Sequence, residues 1–472
     1  MTALSALNAL LAPAATITHG DVHLHDAAAL QGPLMDALVR QAVFGADAEK
    51  ELARWAIWEL GQAAGVRSAS IHDLYIARGK GLCGGFTVPA INVRGRTYDT
   101  ARAIFRTAIA MDAGAFLFEI ARSEIAYTEQ RPAEYVAVVV AAALREGYRA
   151  PVFIQGDHFQ VNAKKYAADP VTEVGNVKHL ALEAVTAGFF NIDIDTSTLV
   201  DLSHATLDEQ QRLNYEVGVD ITRYVRSLEP AGVTISLGGE IGEVGTSNST
   251  VPELKAFMDG YVRTLAREAP GMVGLSKISV QSGTSHGGVV LADGSIAEVK
   301  LDINTLDALG KVARAEYGLA GAVQHGASTL PDGAFNAFPK AETAEIHLAT
   351  GFQNMLYDHL PPALREEMYA WLRVNAAEER KATDSDEQFF YKSRKKAIGP
   401  FKRQLWSLGP AEAAALDTAY EEKFRFLFTQ LAVGGTAAAV AKYVKVAPMH
   451  RMAPTEGGPG VAAAPDDPDA GE

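Results

Sequence analysis

The chain has a single cysteine, Cys83, among its 472 residues. An intramolecular disulfide is therefore excluded, and the fold must rest on an apolar core. Long hydrophobic runs are missing as well: no 18 consecutive apolar residues occur, and the mildly apolar start, MTALSALNALLAPAATITHG, has no basic segment before it. Neither a membrane span nor a secretory signal is expected. Positive charge is scarce, with 43 Lys and Arg against 57 Asp and Glu, for a net charge of −14. The long-range field repels nucleic acid and anionic membrane surfaces, so an anionic substrate must be captured by local groups. A cytoplasmic protein with no nucleic-acid or membrane partner is the expectation.

What is present is a composition of 48% hydrophobic and 21% charged residues, that of a soluble globular protein able to bury a large core. Residues 1–80 show helical spacing, as in LMDALVRQAVF and ELARWAIWELGQAA, and predict a helical N-terminal extension. From Phe86 the pattern changes to short apolar runs separated by longer amphipathic segments: FTVPAINV, AFLFEI, VFIQG, FFNIDID, VTISLGGE, LSKISVQ, AVQHG and AEIHLAT. Eight such alternations predict an α/β fold, a (β/α)8 barrel over 81–360 with its active site at the C-terminal strand ends. A helical C-terminal extension is expected over 361–450, and the Pro, Gly, Ala and acid-rich residues 451–472 are expected to be a disordered tail.

Chemistry-bearing residues fall at the expected strand ends. The third ends in Asp157 and His158, the fourth in Asp193 and Asp195, the fifth in Glu240, the sixth near His286, the seventh in His325, the eighth in His347 and Thr350. His158, His286 and His325 match a three-ligand catalytic divalent site with positions left open for substrate, and neutral imidazole suits zinc. Each histidine alone would read as a hydrogen-bonded structural residue, but their settings, GDHF, GTSHGG and QHGAST, favour a shared role. Adjacent residues of an extended segment point to opposite sides, so Asp157 and His158 are not expected at one ion. With His158 on the metal, Asp157 is left for proton transfer. Glu240, Asp193 and Asp195 are candidates for supporting the ligands or holding a secondary cation, with solvated strand ends as the plain alternative. Backbone N–H groups at Gly287 and Gly326, with Ser328 and Thr350, suit a phosphate. The basic run SRKKAIGPFKR makes Arg394 the candidate for an anionic substrate's far end.

Taken as a set and in this order, TVPAINV, QGDH, FNIDIDTS, EIGEVG, SGTSHGG, QHGAST with LPDGAF, and HLATGFQN resemble the class II, metal-dependent fructose-bisphosphate and tagatose-bisphosphate aldolases, from about Gly81 to Trp406. The resemblance implies His158, His286 and His325 as ligands of zinc or another divalent cation, with a monovalent cation as a further expectation. It implies Asp157 as the acid and base at the C4 hydroxyl. Gly287, Gly326, Ser328 and Thr350 would hold one phosphate, and Arg394 would reach the other, typically from a neighbouring subunit of a homodimer or homotetramer. Asn92, in TVPAINV, joins His347 as a substrate-contacting candidate, and Asp195 and Glu240 as secondary metal positions.

Three features depart from the family pattern. His347 stands where the family usually has Asn. The loop TSNSTVPEL is shorter, with Glu243 and Glu253 as its nearest acids, and Ala121, Arg122 and Ser123 follow strand two where a serine or threonine is common. The resemblance implies cleavage of fructose 1,6-bisphosphate to dihydroxyacetone phosphate and glyceraldehyde 3-phosphate. The alternatives are an aldolase for tagatose bisphosphate or another ketose phosphate, and a non-catalytic accessory subunit of such an enzyme.

Overall fold

The computed structural model describes residues 3–242, 247–283, 291, 301–454 and 462–467. Near the N-terminus, β1 (Ala15–Thr18) and β2 (Asp21–Leu24) pair antiparallel around His19 and Gly20, both with positive φ (54° and 87°). Such a two-residue turn matches the twist of the strands it joins. This hairpin interrupts the helical extension expected over 1–80, whose helices are Ala3–Leu11, Pro33–Phe44, Asp47–Ala64 and His72–Gly79. Strands of four residues carry too little alternation to stand out from the helical spacing around them.

A two-residue strand, β3 (Ser68–Ala69), precedes the barrel proper. The barrel strands are β4 (Val88–Asn92), β5 (Leu117–Ala121), β6 (Val152–Gln160), β7 (Asn191–Asp195), β8 (Ser236–Glu240), β9 (Lys277–Val280), β10 (Ala322–Gln324) and β11 (Glu345–Leu348). All eight runs read as strands in the sequence are strands here, each pairs in parallel with its neighbours, and β11 closes on β4. The (β/α)8 expectation holds. β3 adds to the lower end of β6 at Val152 and Phe153, and the Asn191 amide ties this joint to the barrel. Its Oδ1 accepts from the Ile71 N–H at 2.9 Å and its Nδ2 donates to the Ala69 and Ile154 carbonyls.

Because helices cover the outside and side chains fill the inside, both faces of every barrel strand are buried. β4, β5, β7, β8, β9, β10 and β11 are buried at every residue. The surrounding helices start on residues that satisfy their free N–H groups, as at Thr206 with Glu209 and Thr250 with Glu253. No helix among the described residues is long and apolar enough to cross a membrane.

The C-terminal part requires a correction. Over 451–472 the described residues are docked rather than loose: the Arg451 carbonyl accepts from the Trp55 indole at 2.9 Å, Ala464 and Asp467 are buried, and Asp466 pairs with Arg131 at 2.7 Å. Asp467 meets Arg122 at 3.2 Å and Lys165 at 2.8 Å. Composition there offers no periodic apolar face, but the acids find cations on the barrel's own helices.

Candidate active site

Strand β6 decides where the chemistry lies. Gly156 stands opposite Ile192 of β7 while Phe159 stands opposite Ile194, so β6 carries one extra residue, and His158 takes φ 39°. This bulge inverts the alternation at one point. Gln155, Asp157, His158 and Gln160 all reach partners inside the barrel, whereas Phe159 folds back over Gly156, where a Cβ would lie 2.5 Å from its ring. The expectation that Asp157 and His158 diverge is thereby overturned, because it assumed an unbroken strand.

His158 Nε2 lies 2.9 Å from His325 Nδ1 and 3.8 Å from Asp157 Oδ1, and its Nδ1 lies 3.0 Å from Asp195 Oδ2 and 3.6 Å from Glu240 Oε2. His325, just past β10, has Nε2 2.9 Å from Ser279 Oγ on β9. Asp157, His158 and His325 each offer one ligand atom within 4.8 Å of the others, and His158, Asp195 and Glu240 do the same. His286 and Gly287 lie outside the described residues.

Below this cluster lies a polar floor that sequence reasoning largely missed. His347 Nδ1 is 2.9 Å from Glu119 Oε2 and 3.1 Å from Asp157 Oδ1, and its Nε2 is 2.8 Å from Glu345 Oε1 and 3.6 Å from Asp193 Oδ2. The fully buried Lys277 ammonium donates to Gln155 Oε1 at 2.7 Å, to Asp193 at 2.9 Å and to Glu345 Oε1 at 2.5 Å. Gly238 makes room, since a Cβ there would lie 2.9 Å from Lys277 Cε and closer still to the Asp193 carboxylate. Glu119, Lys277 and Glu345 were visible as charges inside AFLFEI, LSKISVQ and AEIHLAT, and a charge within a strand buried on both faces must have a partner.

Electrostatics follow from this crowding. Burial lowers the pKa of His158, but the carboxylates of Asp157, Asp195 and Glu240 outweigh it and hold the imidazole well above its usual range. His347 is likewise raised, with Glu119 and Asp157 overcoming burial. Burial, then Asp157, pushes Glu119 up to about 8 against the pull of His347. Glu345 goes the other way: burial is outweighed by Lys277 and His347, which hold it at about 2.

Six buried carboxylates, Glu119, Asp157, Asp193, Asp195, Glu240 and Glu345, thus face one ammonium and the imidazoles of His158, His325 and His347. Burial, with neighbouring carboxylates, raises Glu119 and Glu240 toward their neutral forms, and the carboxylates that stay charged in such a place are paired or coordinate a metal. The donor set of two imidazoles and a carboxylate at one point fits a divalent cation.

At the seventh and eighth strand ends, Gly326 (φ 66°) opens the short 3-10 turn Ala327–Thr329, and Thr350 begins the helix Thr350–Asp358. The two abut: a Cβ on Gly351 would lie 2.8 Å from the Ser328 carbonyl. Gly326, Ser328 and Thr350 are therefore brought together. Arg394 is buried within its own chain, its guanidinium donating to Asn354 Oδ1 and lying over Tyr391 and Tyr357 at 4.7 and 5.0 Å. Asn354 is one helical turn beyond Thr350, so Arg394 stands beside the helix that carries the proposed phosphate cradle. Asn92 Nδ2 donates to Glu124 Oε2 at 2.5 Å. Glu253 is spent on its helix cap, accepting from the Thr250 N–H and Oγ1 at 2.7 and 2.8 Å, and Glu243 lies outside the described residues.

A model of the family described as fructose-bisphosphate aldolase class-II matches residues 80–405. A search of curated proteins found no match. Among solved structures, a "probable tagatose 6 phosphate kinase" from Sinorhizobium meliloti 1021 is similar at a TM-score of 0.52 and 14% identity, over 76% of this chain and 99% of that one. At that identity the likeness concerns the fold alone. A fructose-bisphosphate aldolase from Campylobacter jejuni matches at a TM-score of 0.45 and 16% identity, over 79% of this chain and 98% of that one. The YdjI aldolase from Escherichia coli K12 matches at 0.42 and 13%, over 78% and 99%.

Proposed function

The chain belongs to the class II fructose-bisphosphate aldolase family, and we propose that it is a divalent-metal-dependent aldolase that cleaves a phosphorylated ketose. The observation that carries this reading is the convergence of Asp157, His158 and His325 within 4.8 Å at the C-terminal strand ends. His158 and His325 would hold the ion, with His286 as the third imidazole that the family pattern supplies, and zinc is the proposed metal because imidazole suits it. When bound, such an ion supplies Lewis acidity toward the substrate carbonyl.

The chain's own residues do the rest. Asp157 accepts the C4 hydroxyl proton as the C3–C4 bond breaks, the electron pair stays with the C3 fragment, and the aldehyde departs. Gly326, Ser328 and Thr350 hold the phosphate of the ketone end through the 3-10 turn and the start of the helix. Fructose 1,6-bisphosphate is the proposed substrate. His347, at 2.9 Å from Glu119 and in reach of Asp157, gives the floor of the site an imidazole. That feature favours keeping tagatose 1,6-bisphosphate and singly phosphorylated ketoses in the comparison.

The test is metal analysis of the purified protein, with coupled-assay cleavage of fructose 1,6-bisphosphate, tagatose 1,6-bisphosphate and fructose 1-phosphate before and after chelation. Cleavage of one of them, lost on chelation and restored by zinc, is the expected result. A protein that holds zinc and cleaves none of the three overturns the reading in favour of an accessory subunit.

A further inference from the structure

We propose that His347 is a positioning residue for Asp157: its Nδ1 fixes the Asp157 carboxylate, and the buried Lys277 network fixes His347. The inference rests on the reading of Asp157 as the acid and base of the reaction and extends it to the floor of the barrel.

The geometry runs upward in steps. Glu345 is held on three sides: Lys277 Nζ at 2.5 Å, Gln155 Nε2 at 2.9 Å, and the Tyr75 hydroxyl from helix His72–Gly79. The same Glu345 Oε1 lies 2.8 Å from His347 Nε2, an ion-pair contact without hydrogen-bond alignment, so one edge of the imidazole faces a carboxylate that is itself held in place. The opposite edge, Nδ1, is 3.1 Å from Asp157 Oδ1 and 2.9 Å from Glu119 Oε2. Glu119 is itself held by Gln155 Nε2 at 3.2 Å. His347 is only 5% exposed and its ring centroid is 4.0 Å from that of His325, which removes room for the ring to turn.

Asp157 needs such a hold more than an ordinary strand residue does. It sits in the bulge of β6, next to a residue of positive φ, where the ladder to β7 is broken. The bulge aims the Asp157 side chain and leaves the strand supported on one edge only, where Asp157 pairs with Ala121 of β5. A group that transfers a proton has to be held within a fraction of an ångström of its target, and a misplacement of about 1 Å costs about a hundredfold in rate. Six side chains from β5, β6, β7, β9 and β11, all buried, form this floor beneath the proposed metal ligands. A substrate-contacting role alone would not require Lys277, Glu345 and Gln155 to brace the far edge of the ring.

Two isosteres separate the edges of the ring. His347→Asn places an amide N–H near Nδ1 and keeps the contact to Asp157. His347→Gln places it near Nε2 and keeps only the contact to Glu345. For His347→Gln we expect kcat to fall about a hundredfold with KM and metal content unchanged, whereas His347→Asn keeps kcat within about tenfold of the parent. Equal losses in the two variants, a rise in KM with kcat kept, or a loss of metal would overturn the proposal. Crystal structures of the parent and both variants give a readout independent of activity: the Asp157 carboxylate keeps its place in His347→Asn and rotates in His347→Gln. An unmoved carboxylate in His347→Gln sinks the inference even where no substrate is known. Absence of cleavage by the parent, with the carboxylate moving as expected, refutes the proposed function and leaves the positioning role standing.

Discussion

His158 Nε2 and His325 Nδ1 lie 2.9 Å apart, with ring centroids 4.3 Å apart, although 167 residues separate them in the chain. Two strand ends four positions apart around the barrel, on opposite sides of it, bring them together across its mouth. Two imidazole nitrogens at that distance, under the field of Asp157, Asp195 and Glu240, share a proton or face a common cation.

His158→Asn tests the second of these. Asn tolerates positive φ better than most residues, so the variant keeps the bulge conformation while deleting an imidazole. Metal content by elemental analysis should fall by at least tenfold, with the thermal midpoint of the chelated protein changed by only a few degrees. Retention of metal in the variant would remove His158 from the ligand set.

Lys277→Met leaves Glu345 and Asp193 buried without their ammonium. Removing one partner from such a pair costs about 3–5 kcal/mol, because the other charge stays behind. The pH dependence changes sign. In the parent, Glu345 is held at about 2, below its unfolded value, so its contribution to stability is present above about 4.5 and lost as pH falls toward 2. Without Lys277 the carboxylate rises above its unfolded value, and acidification stabilises the variant relative to the parent. Urea titrations of the chelated proteins at pH 7 and pH 5 should show the gap between them narrowing; a constant gap contradicts the pairing.

His72 predicts an acid-sensitive component of stability away from the site. Burial, with a smaller push from Arg226, lowers its pKa to about 4. A histidine depressed in the folded state leaves the fold at full stability above about 6.5 and weakens it as pH falls from there toward 4, because the unfolded chain takes up the proton first. The full shift corresponds to on the order of 3 kcal/mol. His72→Gln should lose this part of the slope between pH 6.5 and 4 in denaturant titrations, and an unchanged slope would assign it to other groups.

Asp467→Asn addresses the docked tail. The carboxylate is buried against Arg122 and Lys165, while Arg122 keeps Glu173 at 2.7 Å. With one partner retained, the expected loss is about 1–2 kcal/mol rather than the full cost of an orphaned charge. The more direct readout is limited proteolysis: the C-terminal residues should be cleaved several times faster in the variant, and equal rates would mean that the ion pairs do not hold the tail.

Much of this protein can be read from its residues in order. Eight apolar runs alternating with amphipathic segments determine a closed parallel barrel, since strands of that kind must be covered on both faces. The ends of those runs place His325, Asp195, Glu240 and Thr350 at one rim, because strand direction and the period of two are local properties. The pairing of Asp157 with His158 on the same side was not legible: it depends on one inserted residue relative to β7 and on a positive φ that no local pattern announces. Lys277, Glu119 and Glu345 were legible as charges but not as a network, since their partners come from strands brought together only when the barrel closes. The acids near Asp467 read as a solvated tail for the same reason. A buried charge takes its meaning from the group that faces it, and which group that is was decided by the tertiary structure alone.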